Sequence, residues 1–272
     1  MRSTVRNYRL LLATLFFALT AVAAPLYSTR VIAKDDPLTG DLHVTHADLD
    51  AQYHTAIIDG MEMRASKIRT NLVLITKANT SLQWKTVDGK DYVKMGVLTD
   101  TFYDSYVGKS LAVGAGRTTW VFSPAEMKHW YATHTPLPNT LLLRLRQLLG
   151  MPPNVQKTRI AEVWVQPQDL KRPSIEPAID KEIDLATLFS RKTWYTPNGD
   201  DAYNTWFYQQ CANSYVIPTD RASVYPWTRL GYTYDWGNPE YPHIGLSEFI
   251  IWGSPTVSVL VESCQKPEDY FK

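Results

Sequence analysis

SLQWKTVDGKDYVKMGVLT, residues 81–99, sets two runs rich in β-branched and aromatic residues on either side of Asp88-Gly89. An Asp-Gly pair between such runs is a strong hairpin signal, because a tight two-residue turn needs positive φ at both central positions. The stretch predicts antiparallel strands over 81–87 and 90–99. Upstream, NLVLIT (71–76), set off by Asn79-Thr80, reads as a further strand and completes a meander. Downstream, the same composition recurs in RTTWVFS (117–123), TRIAEVWV (158–165), TRLGYTYDW (228–236), GLSEFIIWG (245–253) and TVSVLVES (256–263).

Helices fall between these runs. Thr45 and Asp48 form a weak capping box before Leu49, Tyr53 and Ile57, which recur at helical spacing up to Gly60. Ser123-Pro124-Ala125-Glu126 supplies an N-cap, a first-turn proline and an acid at the third position. Asn139 precedes TLLLRLRQLL, which Gly150 ends and Pro152-Pro153 keeps from continuing. Asp200 or Asp201 starts a helix through AYNTWFYQQC. Strands outnumber helices and both come in blocks. The expected fold is α+β, a mainly antiparallel sheet with a few flanking helices in a single compact domain. Residues 167–199 carry four prolines and little periodicity, and read as a long ordered loop or an internal boundary.

The N-terminus predicts export. Arg2, Arg6 and Arg9 precede an apolar run, Leu10 to Val22, and the small-residue site Ala21-Val22-Ala23. That is the layout of a secretory signal peptide, residues 1–23, leaving a mature chain of 24–272 in the periplasm of a bacterium or outside the cell. The run is short for a transmembrane span, which takes about 20 residues. The mature chain keeps 25 basic against 27 acidic residues. That balance does not suit a nucleic-acid binder, and no block of like charge suggests a membrane-surface patch. Two cysteines in an oxidising compartment point to a Cys211–Cys264 disulfide, the alternative being two unpaired buried thiols. The bond would close a loop of about 54 residues, worth roughly 4 kcal/mol in chain entropy.

Familiar catalytic signatures are missing: there is no G-x-S-x-G, Walker loop, H-E-x-x-H or C-x-x-C, and VGAGR (113–117) lacks the third glycine of a dinucleotide fingerprint. No cofactor and no metal site is therefore assigned. His46, Asp50 and His54 stack along one helix face, a geometry that could hold zinc but equally describes a solvated face.

YPWTRLGYTYDWGNPEYPHIGLSEFIIWGS (225–254) is the candidate site, since it combines aromatics, glycines and charges that are costly to bury together. Alternation puts Thr228, Leu230, Tyr232, Tyr234 and Trp236 on one face, with Arg229, Gly231, Thr233 and Asp235 on the other. In the following strand Glu248 shares a face with Leu246, Ile250 and Trp252. A carboxylate so placed is either paired, with Arg229 as one option, or raised in pKa and poised for chemistry; an Arg229–Asp235 pair is the other structural option. Trp227, Tyr232, Tyr234 and Trp236 are the expected ligand-binding aromatics. The partner would be a small molecule, a glycan or an envelope protein.

TLLLRLRQLLGMPPN, KTRIAEVWVQPQDLKRP, YPWTRLGYTYDWGNPE and GLSEFII together resemble an uncharacterised family of exported bacterial proteins over residues 71–264. The resemblance implies a single exported domain. It also implies cysteines in relatives near Ser174 and Ile183, and hence a second disulfide that this chain lacks. GLSEFIIWGSPTVSVLV is similar to the last strand pair of ADP-ribosyltransferases, and TRLG with G-x-S-E-F echoes secreted NAD glycohydrolase toxins. That resemblance implies an NAD-consuming enzyme with Glu248 as catalytic carboxylate and Arg229 as phosphate holder, Asp235 beside them, and Tyr234 or Trp236 against nicotinamide. The chain departs from it in lacking a Ser-Thr-Ser triplet and a second acid beside Glu248.

Overall fold

The computed structural model describes residues 46–137, 140–183, 201–215 and 224–272. The signal peptide, Thr45, Asn139, Asp200, the side chain of His46 and the second half of the proline-rich loop lie outside them. The fold is α+β; among the described residues there are nine strands, and every pairing between them is antiparallel. The strands are β1 (Trp84–Val87), β2 (Lys90–Thr99), β3 (Ser110–Ala112), β4 (Thr118–Phe122), β5 (Arg159–Val165), β6 (Leu170–Lys171), β7 (Tyr232–Tyr234), β8 (Ile244–Trp252) and β9 (Ser258–Gln265). Across the sheet the order is β3-β9-β5-β2-β4-β8-β6, with β1 added to β2 and β7 to β8.

The Asp-Gly hairpin forms as expected. Asp88 and Gly89 take φ of 51° and 73°, and Val87 pairs with Lys90. β2 then runs on beside β5, from Val93↔Val165 to Thr99↔Arg159. The register puts Met95, Val97, Val163 and, from β4, β8 and β9, Val121, Phe249, Ile251 and Val261 into one core. Residues of opposite parity face the helices. α2 (Pro124–His134) and α3 (Leu141–Leu148) cover Leu98, Phe122, Ile160 and Leu246. α4 (Asp201–Tyr215) covers Ile250, and α1 (His46–Gly60) packs Leu49, Tyr53 and Ile57 on Leu143, Tyr234 and Trp236. A short α5 (Pro267–Tyr270) ends the chain.

Local chemistry explains the helix ends. The Ser123 hydroxyl accepts from the Glu126 amide at 3.4 Å with Pro124 in the first turn, and Thr135 closes α2 in the left-handed region. α3 stops in a Schellman arrangement: Gly150, φ 65°, donates to Gln147, and Met151 donates to Arg146.

Two expectations about strands are corrected. Residues 71–76 form no strand, because their backbone bonds go elsewhere: Val73 N–H to the Ser247 hydroxyl at 2.8 Å and Ile75 N–H to the Ile179 carbonyl at 2.8 Å. TRLGYTYDW is extended into a ladder only at Tyr232–Tyr234. Arg229 and Gly231 both have positive φ, which breaks the alternation there. The start of the proline-rich loop is stitched into the sheet, Leu170 pairing with Ile251 and Lys171 with Ile250.

The disulfide is also corrected: both cysteines are free. Cys211 on α4 packs into the α4 cluster, whereas Cys264 on β9 packs into the core of the other sheet face, so the sheet stands between them. Burial pushes the Cys211 thiol up to about 11, against the pull of Arg229. Burial and the neighbouring Asp104 carboxylate push Cys264 up to about 12.

Two measurements follow. Thermal melts with and without reductant should give one Tm, whereas a bridge closing this loop would be worth roughly 4 kcal/mol and its loss several degrees. Gly96→Ala should destabilise the protein by about 1–3 kcal/mol in urea titrations, because a Cβ on Gly96 runs into the Phe122 ring of the paired strand.

Candidate functional site

The aromatic stretch is a seat for α1 rather than an open surface. Trp227, Tyr232, Tyr234 and Trp236 are all buried, the most accessible being Trp236 at 7%. Three of their polar atoms are spent inside the protein. The Tyr232 hydroxyl donates to the Lys67 carbonyl at 2.6 Å, Tyr234 to the Asp59 carboxylate at 3.0 Å, and the Trp236 indole to the Met151 carbonyl at 2.9 Å. Trp236 meets Tyr53 of α1 edge-on, ring centroids 5.6 Å apart. Arg229 reaches the last carbonyls of the same helix, Gly60 and Met61, with its guanidinium 5.1 Å from the Tyr215 ring. Lys67 does likewise, donating to the Asp59 carbonyl at 2.5 Å and pairing with its carboxylate at 2.9 Å. Cations at a helix C-terminus satisfy orphan carbonyls and oppose the negative end of the helix dipole. The four aromatics therefore form no exposed platform.

Arg229 and Glu248 form no ion pair with each other, so that structural option read from the alternation is not taken: Arg229 is spent on the Gly60 and Met61 carbonyls. Glu248 lies in the middle of β8 opposite Phe122, 4% exposed. Among the described residues it makes no ion pair, and its Oε1 atom is buried with no hydrogen-bond partner. The Trp227 indole N–H is orphaned in the same way; it lies close enough to steady the carboxyl's charge but out of hydrogen-bond geometry. Burial drives the Glu248 pKa well above the carboxylate range, and Trp227 and Arg172 pull it only part of the way back.

Asp235 is paired with a residue that the sequence did not single out. Arg144 of α3 grips it through two bonds of 2.8 and 2.6 Å, while Gly237 N–H adds a third donor at 3.1 Å. The Arg144 guanidinium also lies 5.2 Å from the Trp130 ring. A second, half-buried cluster joins Arg69, Glu126 and Ser247: Arg69 meets Glu126 at 2.7 Å, and the Ser247 amide donates to the other carboxylate oxygen at 2.9 Å. A third is Arg172, fully buried, whose donors go to the Val73, Ala178 and Gly231 carbonyls. Arginines inside LLLRLRQLL were the available signal, since a cation on a leucine-rich helix has to find a partner.

Aromatic surface does reach solvent, but elsewhere. Trp120 of β4, Trp206 of α4 and Trp252 of β8 are half-buried neighbours, with ring centroids 6.4 Å apart for Trp120–Trp206 and 5.7 Å for Trp206–Trp252. The Lys171 ammonium lies 5.6 Å from the Trp252 ring and 5.3 Å from Tyr203. Trp227 backs the group from inside, 5.9 Å from Trp120. An adjoining shallow groove of about 560 Å³ shares Lys171 with this surface and runs past Ile75, Leu170, Glu176, Ile179 and Asp180; it contains none of the site residues read from the sequence. Asp50 and His54 are exposed on α1, and among the described residues no group of three or more His, Cys, Asp or Glu is placed to hold a metal. No helix among them is long and apolar enough to cross a membrane.

Asp235→Ala should cost roughly 3 kcal/mol in urea unfolding, since it leaves the Arg144 guanidinium without its counter-charge; the 18% exposure of Arg144 keeps the cost at the low end for a broken buried pair. A scan against protein-family models and searches of curated proteins and of solved structures find no match to this chain.

Proposed function

We propose that this chain is a non-catalytic, exported binding protein whose recognition surface is the indole group of Trp120, Trp206 and Trp252 beside Lys171, and that its ligand is a glycan of the cell envelope. The observation that carries the reading is the indole group itself: half-buried rings from three different elements, held by a buried aromatic layer, with one ammonium at their edge. Rings fixed from behind lose little entropy on binding, and they offer apolar faces with N–H edges, which suits the mixed surface of a sugar. The Lys171 ammonium beside them adds positive charge at the edge of the surface. Export rests on the N-terminal charge and apolar pattern together with the resemblance to an exported family.

The buried hairpin aromatics enter this reading only as support for the fold. Titration of the purified chain, residues 24–272, with peptidoglycan fragments and other envelope oligosaccharides, followed by tryptophan fluorescence, tests it. Trp252→Ala and Trp206→Ala should each weaken binding about tenfold, near 1.4 kcal/mol, with little loss of Tm. Trp236→Ala should lower Tm and leave the affinity of the folded fraction unchanged. Saturable binding that survives both surface changes, or none across the panel, removes the proposal.

A further inference from the structure

Glu248 is buried in β8 with its Oε1 atom left, among the described residues, without a hydrogen-bond donor. Ile250, two residues along β8 and on the same face, packs in one cluster with Tyr203 and Phe207 of α4, Trp227 and Tyr232, and Glu248 lies within the electrostatic reach of Tyr203, Tyr215, Tyr232 and the Arg172 guanidinium. Each of the three phenols already donates to a backbone carbonyl: Tyr203 to Ser174 at 2.5 Å, Tyr215 to Trp227, and Tyr232 to Lys67 at 2.6 Å. Arg172 spends its donors on Val73, Ala178 and Gly231, and its guanidinium lies 4.8 Å from the Phe249 ring. What remains for Oε1 is the misdirected N–H of Trp227. A buried anion without donors costs several kcal/mol, so the packed state holds this carboxyl as the neutral acid.

The walls around it differ in how they are held. β8 is hydrogen-bonded to β4, β6 and β7. α4 is not hydrogen-bonded into the sheet by any pairing among the described residues; Tyr203, Phe207 and Ser214 are its fully buried side chains, and Asp201, Thr205 and Gln209 are exposed. Strain from a charge at Glu248 is therefore relieved most cheaply by lifting α4 and admitting water. We infer that Glu248 is a protonation-dependent latch for α4: the uncharged carboxyl lets the helix seat on the sheet, and departure of its proton to solvent frees the helix.

The sign follows from linkage. With α4 lifted the hydrated carboxyl ionises in its ordinary range, whereas with α4 seated it keeps its proton to much higher pH. Seating is therefore fully favoured below the ordinary carboxylate range and is lost progressively as pH rises toward the seated-state value. No ligand is needed for the effect, so it stands apart from the proposed glycan surface. Lifting α4 would nonetheless carry Trp206 away from Trp120 and Trp252.

Amide hydrogen exchange of residues 24–272, read segment by segment between pH 5 and 9 and corrected for intrinsic exchange, tests the latch. The opening constant of α4 should rise with pH relative to α2, by up to about tenfold per pH unit, the limit for release of one proton. Glu248→Gln should abolish that slope. An α4 slope equal to that of α2 in the wild type, or a slope retained in Glu248→Gln, overturns the inference. Should Glu248→Gln fail to fold, the wild-type comparison of the two helices decides by itself.

Discussion

Arg172 is the tie on which the surrounding architecture depends. A fully buried guanidinium survives only where its donors are met, and here they are met by carbonyls from three separate segments, residues 73, 178 and 231. Burial lowers its pKa to about 10, still charged at neutral pH. The tie dictates local sequence: a Cβ on Gly231 would sit 2.7 Å from the Arg172 side chain, so that position has to be glycine. It also explains why 71–75 crosses the sheet without joining a ladder. The Val73 carbonyl is taken by Arg172 and the Val73 amide by Ser247, so side chains do the work of a neighbouring strand.

Where local chemistry is sufficient, the sequence is legible. Asp88-Gly89 specifies its turn, Ser123-Pro124-Glu126 its helix start, and Gly150 its helix end, because each feature is settled within five residues. The sheet of mixed apolar runs and the flanking helices follow from the same reading. What the sequence does not reveal is how many layers cover a face. Alternation in TYDW separates two sides, but helices cover both, α1 over Tyr234 and α3 over Thr233 and Asp235, so Tyr232, Thr233, Tyr234 and Asp235 are all buried. Cysteine count likewise says nothing about which sheet face a thiol takes, and the pairing expectation fails on that point.

The buried charges show one habit and one exception. Arg144–Asp235, Arg69–Glu126 and Lys94–Glu162 each join elements distant in sequence, and each acid keeps a cation within 3.3 Å. These pairs tie α3 to the segment just after β7, the residue Arg69 to α2, and β2 to β5. Glu248 departs from the habit, since the nearest guanidinium is occupied by backbone. Placing an acid there without a partner costs stability, and such sites are where a fold stores a response to its surroundings.

The sheet terminates in strands too brief to recruit another chain. Among the described residues β3 contributes three residues at one margin, β1, paired only with β2, contributes four, and β6 and β7, which share the flank of β8 at the other margin, contribute two and three. A strand of that length exposes only one or two outward N–H and C=O groups, less than a foreign β-segment needs for a stable ladder. Backbone templating, the usual route from a β-rich protein to fibrils, is closed off by geometry rather than by charge. Long, fully paired strands stay in the middle, where their hydrogen bonds are already taken.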